Sequence, residues 1–176
     1  MDKKTIVVVG AGQGLGNHVA KRFGKEGFRV VLMARDGKSL KRYQQEFAEN
    51  GIETFVHEAD AERTETLDTA FAWVKGQFGT PDVLIYNVGI TAADEPDKMT
   101  SAELMRHYQT DVASAWHCAR LVADEDFGKK QGVILFTAAD WQRFRWRRSR
   151  RFPSTRRHSV HWLACCTTNC NRKASS

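Results

Sequence analysis

Ile6-Val7-Val8-Val9-Gly10-Ala11-Gly12-Gln13-Gly14-Leu15-Gly16 is the stretch on which the reading of this chain turns. Four apolar residues run straight into a loop with glycine at 10, 12, 14 and 16, and Asn17 to Lys25 reads as a helix. Strand, glycine turn and helix in that order make a seat for phosphate. Gly10 permits the tight turn, backbone without side chains lets N–H groups approach an anion, and the helix N-terminus turns a partial positive charge toward it. The spacing is Gly-x-x-x-Gly-x-Gly at 10, 14 and 16, because Leu15 stands where a Gly-x-Gly-x-x-Gly pattern would need glycine. A glycine-rich loop alone is a weak signal, and its place directly after a strand strengthens it.

Outward from this loop the chain alternates. Phe28 to Ala34 is apolar and β-branched enough for a second buried strand. A helix follows with Leu40, Tyr43, Phe47 and Ala48 on its apolar face and Asn50-Gly51 as its stop. Ile52 to His57 reads as the third strand, and Thr64 to Phe78 as a helix with Leu67, Ala70, Phe71 and Val74 on one face. Asp82 to Tyr86 reads as the fourth strand, about Ser101 to Phe127 as one long helical stretch, and Gly132 to Thr137 as the fifth strand. Such alternation calls for a doubly wound parallel sheet with helices on both faces, expected in the order 3-2-1-4-5.

The length of 176 residues suits one domain with a real core. The net charge of +6 averages two unlike segments. Residues 1–141 hold 17 Lys and Arg against 21 Asp and Glu, whereas residues 142–176 hold 10 basic residues and no acidic one. Cysteine repeats the division, with Cys118 in the first segment and Cys165, Cys166 and Cys170 in the second. The domain is therefore expected to occupy 1–141, followed by an irregular basic tail. The run Ile6 to Val9 leads into the glycine loop rather than a cleavage site, and no segment approaches the ~20 apolar residues of a membrane span. A cytoplasmic protein without membrane contact is the expectation.

Together, Gly10-x-x-x-Gly14-x-Gly16, Asp60 after the third strand, Asn87-Val88-Gly89 after the fourth and Gly-x-Ile opening the fifth resemble the short-chain dehydrogenase/reductase family over roughly residues 4–140. The resemblance implies a Rossmann-type domain in which the glycine loop holds a dinucleotide pyrophosphate, Asp60 contacts the adenine, and Asn87 with Gly89 supports the sheet beside the cofactor. Tyr86 and Val88 replace the first asparagine and the alanine of the family's Asn-Asn-Ala-Gly, and Val9 replaces a threonine. The implied cofactor site comprises Gly10, Gly12, Gln13, Gly14, Leu15, Gly16, Arg35, Asp60, Ala61, Asn87, Val88 and Gly89.

The end of the second strand bears on the choice of cofactor. An acid there accepts hydrogen bonds from ribose hydroxyls, and an arginine pairs with a 2′-phosphate. The family's NAD-selecting position is Ala34, followed by Arg35 and then Asp36. NADP is the favoured cofactor, with NAD open because Asp36 lies one residue beyond; the bland alternative for Arg35 is a solvated turn residue.

The implied chemistry is hydride transfer between a carbonyl and an alcohol of unknown identity, through a tyrosine made basic by a nearby lysine. A tyrosine near its ordinary pKa of about 10 is a poor base at neutral pH, so the lysine is part of the mechanism. Tyrosine occurs only at 43, 86 and 108, all before the fifth strand, and no Tyr-x-x-x-Lys follows it. Ala138-Ala139 stands at the family's serine position, and Asp111 at its asparagine position. Asp111 is the single candidate catalytic residue, with an exposed helical carboxylate as the plainer reading. Little or no activity is expected of this chain.

From Gln142 the periodicity stops, and three readings of the tail compete. Its arginines with Phe144, Trp146 and Phe152 suit non-specific polyanion or nucleic-acid binding. His158, His161, Cys165, Cys166 and Cys170 are metal-capable, but their spacing matches no zinc pattern, so no metal is expected. A shifted reading frame ranks first, since Arg, Trp, Cys and Ser rise abruptly where the resemblance ends. A truncated or frameshifted member would lack its last strands and helices, leaving strand five as an exposed edge and a homo-oligomer doubtful.

Overall fold

The computed structural model describes residues 3–90 and 98–138. Its strands are β1 (Thr5–Val9), β2 (Arg29–Ala34), β3 (Thr54–Glu58), β4 (Val83–Tyr86) and β5 (Val133–Phe136). They form one sheet, all parallel, in the order β3-β2-β1-β4-β5. Every residue of β1 is buried, as a central parallel strand covered on both faces requires.

The period of two along β1 divides the core. Ile6 and Val8 face a cluster with Ala20, Leu40, Tyr43 and Phe47, contributed by α1 (Leu15–Lys25) and α2 (Gly37–Glu49). Val7 and Val9 face the other cluster, where α3 (Thr64–Phe78) supplies Leu67, Phe71 and Val74. The expected five strands and the first three helices are present, with bounds shifted by one or two residues. Strand three begins at Thr54 rather than Ile52 because the Ile52 N–H closes the end of α2 on the Phe47 carbonyl at 3.0 Å.

The single helix expected from 101 to 127 is corrected by the structure. It is divided into α4 (Ser101–Tyr108), a π-helical turn (Gln109–Ala113), α5 (Ser114–Val122) and a short α6 (Glu125–Lys129). The Thr110 carbonyl accepts the buried Tyr86 hydroxyl, an acceptor role that the wider turn accommodates. Asp124 starts α6 as a new N-cap, accepting from the Phe127 N–H at 2.9 Å. That residue type, followed by two acids, was the available signal for the break.

The basic segment 142–176, and with it the polyanion, metal and reading-frame interpretations, lies outside the described residues, as does the boundary placed at 141. Among the described residues no helix is long and apolar enough to cross a membrane, and no group of ligating side chains is arranged to hold a metal ion.

Candidate dinucleotide cleft

A cleft of about 560 Å³ opens at the C-terminal ends of β1 to β4, where the chain winds away from β1 in both directions. Its walls include Gly10, Arg35, Asp60, Ala61, Asn87, Val88 and Gly89, so the structure brings together seven of the twelve residues expected at a cofactor. Gly12, Gln13, Gly14, Leu15 and Gly16 do not line this cavity. They form the turn and the start of α1 beside it, with Leu15 56% exposed.

Two of the glycines are required by close approach. Gly10 has φ +89°, and a Cβ there would lie 2.6 Å from the Asn87 carbonyl carbon and oxygen. A Cβ on Gly16 would lie 2.7 Å from the Gly10 carbonyl oxygen. Around Gly12 and Gly14 there is open space instead, which leaves their backbone accessible. The N–H groups of Gly10 and Ala11 donate to the Met33 carbonyl at 2.9 and 3.0 Å, tying the loop to the end of β2.

Asn87 joins the loop to the far side of the sheet. Its Nδ2 donates to the Gly10 carbonyl at 3.0 Å, and its Oδ1 accepts from the Thr137 hydroxyl at 2.8 Å just beyond β5. One side chain thus holds three strand ends in fixed relation.

Asp36 and Arg35 behave differently. The Asp36 carboxylate caps α2, accepting from the Ser39 hydroxyl at 2.5 Å and from the Lys38 and Ser39 N–H groups at 3.1 and 3.3 Å. Those bonds, the Ser39 hydroxyl foremost, hold its carboxyl below the ordinary carboxylate range. Arg35 projects from the cleft wall with its side chain 72% exposed, its Nη1 3.9 Å from Glu62 Oε1. Arg106 of α4 approaches the same carboxylate at 3.4 Å. Glu62 is thus shared by two guanidinium groups at the edge of the cleft.

Asp60 is held by its surroundings. Its Oδ1 accepts from the Glu62 N–H at 3.0 Å, its Oδ2 lies 3.5 Å from Arg63, and its backbone N–H and carbonyl both meet the Thr66 hydroxyl. Asp111 lies in the π-helical turn, exposed, and accepts from the Ile90 N–H at 3.0 Å. It therefore orients the loop after β4 and is not among the residues lining the cleft.

Of the three tyrosines, Tyr43 lines the cleft from α2, Tyr86 is buried in β4, and Tyr108 is exposed on α4. Burial pushes the Tyr86 hydroxyl upward in pKa, the opposite of what a proton-transfer tyrosine needs. Cys118, on the buried face of α5, is pushed up to about 12 by the same cause, which disfavours the nucleophilic thiolate.

Sequence reasoning missed Ser39, Tyr43, Glu62, Arg106 and Thr110 as parts of the wall. Ser39 had a signal, three residues after a capping aspartate. Arg106 had none, because only the tertiary fold brings α4 to the end of β3. Thr110 is 3% exposed and its hydroxyl oxygen has no hydrogen-bond partner, so a buried polar atom at the cleft is unsatisfied by protein. A glycine cradle and accessible loop backbone form a donor set that fits a phosphate-bearing ligand.

A family model described as short chain dehydrogenase matches residues 4–149. The chain is 31% identical over 134 residues to 3beta-hydroxysteroid dehydrogenase 1 of Eggerthella lenta, covering 75% of this chain and 51% of that protein. It is 28% identical over 135 residues to the 7alpha-hydroxysteroid dehydrogenase of Escherichia coli K12, covering 77% and 52%. It thus spans about half the length of the curated relatives it matches. Among solved structures, a metagenomic short-chain oxidoreductase in complex with NADP aligns at TM-score 0.72 and 27% identity, over 77% of this chain and 62% of that one. The L-sorbose reductase of Gluconobacter frateurii, complexed with NADPH and L-sorbose, aligns at TM-score 0.71 and 24% identity, over 77% and 52%.

Proposed function

The chain belongs to the short-chain dehydrogenase family, and from that membership and the cleft we propose that it binds a nicotinamide dinucleotide, NADP in preference to NAD, at the C-terminal ends of β1 to β4. The bound nicotinamide would supply or accept the hydride in carbonyl–alcohol interconversion. The chain's own residues supply the seat. The turn from Gly12 to Gly16, whose N–H groups are not taken by the Met33 carbonyl, meets the pyrophosphate with its backbone and the start of α1, and Asp60 with Ala61 flanks the adenine. Val88 and Gly89 line the floor beside Asn87, whose side chain bonds to the Gly10 carbonyl and the Thr137 hydroxyl. The metagenomic short-chain oxidoreductase solved in complex with NADP is in keeping with this assignment.

The observation that carries the NADP preference is the engagement of Asp36. A carboxylate that accepts three hydrogen bonds from its own helix has less capacity for ribose hydroxyls, whereas Arg35 beside it stands exposed at the wall. Equilibrium fluorescence titration with NADPH and NADH tests this: NADPH should bind about tenfold more tightly, roughly 1.4 kcal/mol, and Arg35→Gln should erase the difference. Tighter binding of NADH would overturn it.

This chain by itself is proposed to turn over little or no carbonyl or alcohol substrate, because it carries no Tyr-x-x-x-Lys after β5 and Asp111 is engaged by the Ile90 N–H. Robust NADPH-dependent carbonyl reduction by the purified 176-residue chain would refute that. A second reading, a dinucleotide-binding protein whose basic tail binds polyanions, is favoured by the 10 cations and absent acids of residues 142–176. Deleting 142–176 should abolish salt-sensitive binding to single-stranded nucleic acid while dinucleotide binding remains.

A further inference from the structure

Three long side chains from three elements meet at the edge of the cleft: Arg35 just beyond β2, Glu62 just beyond β3 and Arg106 on α4. Glu62 Oε1 lies 3.4 Å from Arg106 Nε and 3.9 Å from Arg35 Nη1. We propose that these side chains form a strap over the cleft that opens to admit a dinucleotide and closes behind it. Glu62 is then the positioning residue that holds Arg106 at the mouth. This role rests on the dinucleotide reading of the cleft and adds to it a control on the rates of entry and exit.

The two ends of the Glu62–Arg106 pair are held differently. Glu62 is fixed at its base, because its N–H donates to Asp60 Oδ1 at 3.0 Å and the Asp60 backbone is bonded to the Thr66 hydroxyl. Arg106 belongs to α4, an eight-residue helix with no buried residue, whose Leu104, Met105 and Tyr108 are each more than half exposed. Eight residues are too few for a helix to sustain itself in water, and apolar burial does not fix this one, so polar contacts place it. The π-helical turn that follows is anchored. The Thr110 carbonyl accepts the Tyr86 hydroxyl, Asp111 accepts the Ile90 N–H at 3.0 Å, and the Ser114 hydroxyl donates to the Ala61 carbonyl at 2.5 Å. One turn before that anchor, Arg106 reaches out to Glu62.

A weak pair suits a strap. Exposed side chains change rotamer in picoseconds to nanoseconds, so the pair breaks and re-forms many times during one encounter with a ligand. Entry is then scaled by the fraction of time the strap is open. Exit is scaled by the same fraction, and the affinity is left nearly unchanged. A solvated ion pair without this role would scale neither rate, and a direct contact to the ligand would slow exit alone.

Stopped-flow association and dissociation of NADH with the full chain tests the strap. NADH lacks the 2′-phosphate, which keeps the proposed part of Arg35 in cofactor choice out of the measurement. Glu62→Gln and Arg106→Gln should each raise both rate constants about two- to fivefold, the range an exposed ion pair allows, and leave Kd within about twofold. Arg106→Lys, which keeps the charge, should stay nearer the unsubstituted chain. Rates unchanged in both Gln variants, or a change confined to dissociation with Kd moving in step, would overturn the strap and leave the dinucleotide reading standing. Binding of neither NADH nor NADPH by the unsubstituted chain would overturn that reading and the strap with it.

Discussion

The two flanks of β1 are built to different standards. On the side of β2 and β3, strand residues from Val30 to Met33 are fully buried, α2 is capped by Asp36, and the glycine loop is bonded to the Met33 carbonyl. On the side of β4 and β5, the last strand exposes Val133, Leu135 and Phe136 at 42%, 37% and 49%, and its outer edge has no neighbouring strand among the described residues. The first flank is where the adenosine half of a dinucleotide is proposed to sit, and it is complete. The second is where the family's chemistry would be placed, and it carries the departures from the family pattern. The cleft draws on both flanks, through Gly10 and Arg35 on one and Asn87, Val88 and Gly89 on the other, but the first is the more deeply buried.

Paired truncations give the largest expected contrast. Phe71→Ala, which empties a position 1% exposed beneath the sheet, should cost about 3–5 kcal/mol in denaturant unfolding, while Phe136→Ala on β5 should cost about 1 kcal/mol or less. Similar costs would mean that the β5 flank is as well packed as the other. Gly10→Ala comes next: a forbidden φ and a Cβ 2.6 Å from the Asn87 carbonyl should cost about 1–3 kcal/mol and remove measurable NADPH fluorescence enhancement. Asp36→Ala removes the α2 cap and should cost about 0.5–2 kcal/mol by thermal unfolding, without strengthening NADH binding.

The smallest effect concerns acid stability. Partial burial works to raise the Asp124 pKa, but Lys75, the Phe127 N–H and the Thr80 hydroxyl outweigh it and hold the carboxyl at about 2, below the ordinary 3.8. A depressed folded-state pKa gives stability that is present above the unfolded value and is lost as pH falls through the folded one. Asp124→Asn should therefore flatten the acid limb of the melting-temperature profile between 3.8 and about 2. Because the side chain is 38% exposed, the loss at neutral pH should stay below about 1 kcal/mol.

The fold was legible because its signals are local. The apolar runs at Ile6, Val30 and Val83 and the helical faces at Leu40 and Leu67 state the period directly. The break in the long helix was less legible, since a π-helical turn keeps helical composition and is set by what Thr110 and Asp111 meet across space. The glycine loop, Asp60 and Asn87 could be found by spacing, whereas Glu62 and Arg106 join the cleft only through tertiary approach. Arg35 and Asp36 were visible as neighbours, but their different engagements follow from the cap on α2, which only coordinates display.

Asn87 also bears on the order in which the chain can mature. β1, β2 and β3 are neighbours in the sheet and consecutive in synthesis, so their pairing needs nothing beyond residue 58. The Asn87 carbonyl oxygen of the side-chain amide meets its partner only when Thr137 has been made, 50 residues later. The bonds from the glycine loop to the Met33 carbonyl need only the first 33 residues, whereas the Asn87 side chain needs residue 137 to complete its two bonds. The loop's bonds to β2 are close in sequence, whereas the second bond of Asn87 waits for a residue just beyond β5.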